Sequence, residues 1–71
     1  MNTTTQTTAH GVTIRTNARA ARRAAALLSP SREFLPTGRR GEFFMAAADD
    51  VQALRDAEFL AANGVTVLFA G

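Results

Sequence analysis

Three groups of residues in this chain carry side chains that could do chemistry: the adjacent carboxylates Asp49 and Asp50, the single His10, and the arginines. Paired carboxylates can divide general-acid and general-base work. Here the pair stands at the head of a helical pattern, where Asp caps free N–H groups and favours the positive end of the helix dipole. His10 has no Ser, Cys or Lys at a spacing that suggests a relay, and with no Cys in the chain it cannot build a zinc site alone. Gly38-Arg39-Arg40-Gly41 is too short to cradle a phosphate as a glycine loop does, and it lacks the P-loop lysine. These residues point away from an enzyme, and no metal or cofactor is expected.

The arginines are the remaining chemistry. Arg19, Arg22 and Arg23 fall on one helical face, and Arg39 and Arg40 sit in a turn; guanidinium groups pair bidentately with phosphates or with the carboxylates of an acidic partner. Residues 1–41 hold seven Arg and one Glu, hence +6, while residues 42–71 hold one Arg and five acids, hence −4. The net charge of +2 conceals this division. All the basic residues are Arg and the chain holds fifteen Ala, a pattern that GC-rich coding also produces.

The elements that must position these groups follow from periodicity. His10–Thr16 alternates, with Val12 and Ile14 on one side and Thr13 and Arg15 on the other, which predicts a half-buried strand. Thr16 or Asn17 caps a helix through Leu28, with Ala20, Ala21, Ala24, Leu27 and Leu28 on its apolar face. Ser29-Pro30 ends it, because the residue before a proline is pushed out of the helical region. Arg32–Leu35 and Glu42–Ala46 read as two strands of a hairpin across the turn formers Pro36-Thr37-Gly38-Arg39-Arg40-Gly41.

A second helix starts at Asp49 and stops at Asn63-Gly64, before a strand containing Leu68 and Phe69. At about 100° per residue its apolar arc is Ala47, Val51, Ala53, Leu54, Ala57 and Ala61. Its polar arc is Gln52, Arg55, Asp56 and Asn63, with Phe59 projecting among them. The predicted order, strand-helix-strand-strand-helix-strand, is the ferredoxin-like βαββαβ pattern of the α+β class, an antiparallel sheet with two helices on one face. If Arg32–Leu35 is loop, three parallel strands in a βαβαβ arrangement remain.

Residues 10–71 are thus expected to form one small α+β domain behind a Thr-rich tail, residues 1–9, expected to be disordered. A core of this size supplies only about 3–5 kcal/mol, so oligomerisation is a natural supplement. The N-terminal residues lack the basic start and apolar run of a secretory signal, and no stretch approaches a membrane span, so a cytoplasmic protein without membrane contact is expected.

Strand geometry adds a constraint on surfaces. Successive side chains alternate faces, so one of Phe43 and Phe44, and one of Leu68 and Phe69, must leave the helix-covered side. The open sheet face should therefore carry apolar side chains where polar ones are usual. Phe44, Phe59, Leu68, Arg39 and Arg40 are the expected partner-binding residues, and Arg19, Arg22 and Arg23 the expected contacts to phosphate or an acidic partner.

The run Arg40-Gly41-Glu42-Phe43-Phe44-Met45 resembles the third-strand motif of RNA-recognition-motif domains at Arg40, Gly41, Phe44 and Met45. Those domains share the strand order and stack bases on open-face aromatics. Glu42 and Ala47 stand where that motif places aromatics, none occurs on the first strand, and a carboxylate on the platform repels phosphate. The resemblance is one of fold rather than of function. The expectation is a small non-enzymatic interaction protein, a regulator or inhibitor of the kind phages and mobile elements encode, binding a protein or nucleoprotein surface. The alternatives are a nucleic-acid-binding module using the arginines and a homodimerising module.

Overall fold

The computed structural model describes residues 9–71, and the expected Thr-rich tail lies, apart from exposed Ala9, outside the described residues. The elements are β1 (Gly11–Arg15), α1 (Ala18–Leu28), β2 (Leu35–Pro36), β3 (Glu42–Ala46), α2 (Asp50–Ala62) and β4 (Thr66–Ala70). The four strands form one antiparallel sheet in the order β2-β3-β1-β4. This is the ferredoxin-like α+β fold, and the antiparallel pairing excludes the three-stranded parallel alternative.

Local chemistry sets the helix ends. Asn17 Oδ1 accepts the Ala20 N–H at 2.8 Å, and Asp49 Oδ1 accepts the Gln52 N–H at 2.8 Å. Gln52 reaches back, its Oε1 accepting the Ala48 N–H at 2.6 Å, so the start of α2 is tied from both sides. At its end the Val65 N–H donates to Leu60 O at 3.0 Å and the Gly64 N–H to Ala61 O at 3.1 Å. Gly64 has φ of 83°, the left-handed residue of a Schellman stop.

The core lies between the sheet and the helices. Val12, Ile14 and Met45 point into it from β1 and β3, Ala21, Ala24 and Ala25 from α1, Ala53 and Leu60 from α2, and Phe34 from the α1–β2 connection. α1 presents only alanines to the core, and the bulk comes from Ile14, Met45, Leu60 and Val12, all but inaccessible to water.

Three features of the sequence reading need correction. The second strand is Leu35–Pro36 rather than Arg32–Leu35. Arg32 is held instead by its side chain, and Phe34 turns into the core, so the chain reaches β3 only at Leu35. The buried face of α2 is Ala53, Asp56 and Leu60 with Ala57 beside them, whereas Val51 and Leu54 are exposed. Asp56 turns inward because Arg32 Nη2 donates to its Oδ2 at 2.7 Å while donating to Ala46 O at 3.1 Å. On α1 the buried face is Ala21, Ala24 and Ala25, and Leu27 is exposed.

Candidate functional site

Strand register decides which side chains reach the uncovered side of the sheet. Val12, Ile14 and Met45 are buried under the helices, so Thr13 and Phe44, the alternate residues, face away from them. Thr13 pairs with Phe44 on β3 and with Phe69 on β4, and Phe44 pairs with Leu35 on β2. Leu35, Phe44, Thr13 and Phe69 therefore form one row across all four strands. Phe69 is 66% exposed and Leu35 56%, so the ends of the row are largely bare.

Phe44 is half-buried for a specific reason. Its ring lies over Gly11, where an added Cβ would overlap both that ring and the carbonyl oxygen of Met45. The glycine lets the aromatic lie flat against β1 and fixes the centre of the row. On one side of the row are the small residues Ala46, Gly11 and Gly71; on the other are Glu42, Arg15 and Thr66. Arg15 is directly opposite Glu42 in the ladder, so this side carries one charge of each sign.

The other expected site residues are dispersed. Leu68 is the extra residue of a β-bulge between the Thr13 and Ile14 pairings, and it is Phe69 that joins the open-face row. Phe59 is exposed on α2, in the helical layer on the opposite side of the domain. Arg39 and Arg40 are exposed in the β2–β3 turn, and Arg19, Arg22 and Arg23 line the outer side of α1. Among the described residues the one ion pair is Arg32–Asp56, so none of these five arginines has an acidic partner there.

Leu35 is not among the residues the sequence marks as a site, because a strand over Arg32–Leu35 leaves its phase without an anchor. The signal that could have found it is Pro36, which cannot donate to a ladder and so marks a strand at the sheet edge.

Two clefts flank α1. One of about 420 Å³ lies against the α1–β2 connection, with Phe34, Phe43 and Pro36 on its floor and Arg22 at its wall. The other, about 230 Å³, is lined by Arg15, Arg23, Thr16, Asn63 and Thr66 and contains no acid. Among the described residues no group of three His, Asp or Glu side chains converges to hold a metal ion, and no helix is long and apolar enough to cross a membrane. The chain matches no protein-family model, no curated protein and no solved structure.

Proposed function

We propose that this is a non-enzymatic interaction protein that binds a macromolecular partner on the open face of its sheet, with regulation or inhibition of that partner as its role. The observation that carries the reading is the cross-strand row Leu35-Phe44-Thr13-Phe69, apolar where an uncovered sheet face is normally polar. The partner's chemistry follows from the row's surroundings. Arg15 and Glu42 offset each other beside it, so the strands themselves contribute no net charge and the positive charge lies at the hairpin. Arg39 and Arg40 extend from the hairpin. A protein surface with an apolar centre and an acidic rim complements this arrangement.

The test is capture of the partner by the tagged chain in lysate of its own source cell, with and without nuclease. A protein recovered in both conditions by the parent chain and lost with Leu35→Ser or Phe69→Ser supports the reading. Equal recovery by the parent and both variants refutes it.

A second reading, nucleic-acid binding, is favoured by the absence of ion-pair partners for Arg19, Arg22, Arg23, Arg39 and Arg40 among the described residues. It requires counterion release, so affinity for a single-stranded oligonucleotide should fall steeply between low and moderate salt. Salt-insensitive binding, or none at low salt, excludes it.

A further inference from the structure

Two neighbouring features of the domain present surface with none of the described residues against it. The first is the outer edge of β4. The opposite edge, β2, is two residues long and ends in Pro36, which has no N–H to offer another strand. β4 lacks both: Thr66-Val67-Leu68-Phe69-Ala70 is five residues long with no charge and no proline, and its one irregularity is the bulge at Leu68. Gly11 and Gly71 exchange both backbone hydrogen bonds at 3.1 Å, so by alternation Val12 and Ala70 are a non-bonded pair and the Ala70 N–H and C=O turn to the free edge.

The second feature is one flank of α2, which packs on β1 and β4. Asp56 defines the flank toward β3, because its partner Arg32 also binds Ala46 O at the end of that strand. At 100° per residue, Leu54, Ala57 and Ala61 occupy the opposite flank, toward the β4 edge. Its charges are Asp50 in the first turn and Glu58, one turn from Leu54 on the solvent side, and Leu54 is 51% exposed.

We propose that β4 is a strand-addition edge for a second copy of this chain. The two β4 strands pair antiparallel about a two-fold axis, and each α2 packs beside its copy. Spacing makes the two contacts compatible. Strands lie about 4.8 Å apart, so the axis falls about 2.4 Å beyond β4; a helix seated between β1 and β4 is then about 5 Å from the axis, and its copy about 10 Å away. That is a helix-packing distance, at the upper end of the usual range, and Ala57 and Ala61 present no bulk to widen it. A single strand added from an unrelated protein satisfies the edge but leaves the Leu54-Ala57-Ala61 flank bare. A second copy covers both, and it joins two open-face rows through Phe69 into one eight-stranded surface.

The chain has no cysteine, so a single introduced one reports only on contacts between copies. Ala61→Cys is expected to be joined into a covalent dimer by a flexible bifunctional thiol crosslinker, whereas Phe59→Cys, on the Asp56 flank and turned away from the copy, is not. Sedimentation of the parent chain from about 5 to 500 µM should show a monomer–dimer equilibrium, weakened roughly tenfold or more by Leu68→Lys and by Ala61→Arg. Far-UV circular dichroism of the monomeric species should be unchanged; if Leu68→Lys fails this check, Ala61→Arg and the cysteine pair decide. The proposal is overturned by a parent chain monomeric throughout, by equal crosslinking at residues 59 and 61, or by a dimer that Ala61→Arg leaves intact. None of these results bears on whether a partner binds the open face.

Discussion

Truncating Arg32 is the perturbation whose effect the structure specifies most closely. Its guanidinium is the ion-pair partner of Asp56, at 2.7 Å, and it also caps the Ala46 carbonyl at 3.1 Å. The two side chains are 18% and 10% exposed. Removing one member of a fully buried pair costs about 3–5 kcal/mol, because the survivor is stranded without water; partial exposure here lowers that to about 2–3 kcal/mol. A domain of this size has about 3–5 kcal/mol to lose, so Arg32→Ala should leave it barely folded.

The cost is also asymmetric. Asp56 is fixed on a helix face against the sheet and cannot swing into solvent, whereas Arg32 lies in an irregular segment on a long, flexible stem. Asp56→Ala should therefore cost only about 1 kcal/mol, eased by the higher helix propensity of alanine. The double variant Arg32→Met with Asp56→Leu should recover most of the loss, since apolar replacement of a buried pair is close to neutral. Urea unfolding followed at the helical circular dichroism band measures all three; with a slope of about 1 kcal/mol/M, Arg32→Ala shifts the midpoint by about 2–3 M. A loss under about 0.5 kcal/mol for Arg32→Ala, or a larger loss for Asp56→Ala, would refute the assignment of Asp56 to the interior through Arg32.

Other outcomes follow from single contacts. Gly11→Ala puts a Cβ into the Phe44 ring and the Met45 carbonyl, and should cost about 1–3 kcal/mol and expose Phe44, read from the urea midpoint and increased dye binding. Leu60→Ala opens a cavity beneath α2 and should cost about 2–5 kcal/mol, enough to abolish the cooperative transition. Asn17→Ala removes the α1 cap and should cost about 1 kcal/mol by the same assay, with Asn17→Ser near neutral. Phe69→Ser should leave the melting temperature within a few degrees of the parent, since its ring is mostly in water; a large drop would mean that the ring packs more tightly than its exposure indicates.

What the sequence settled by itself was everything governed by local rules. Alternation assigned Val12 and Ile14 to the core; Thr16-Asn17 and Asp49 marked the two helix starts, the structure choosing Asn17 at the first; Asn63-Gly64 marked the end of α2, and the order of elements led to the ferredoxin-like sheet. The same alternation required one of Phe43 and Phe44 to leave the core. Three outcomes waited on tertiary structure. Which phenylalanine turned outward depended on the β1–β3 register, and Phe69 rather than Leu68 joined the row because a bulge shifted the phase of β4. The α2 interface could not be read from the helix alone: a wheel counts Asp56 as polar and Leu54 as apolar, but an arginine 24 residues away makes the carboxylate the buried one. Periodicity reports the average environment of a side chain, and a specific partner reached only through the fold can reverse it.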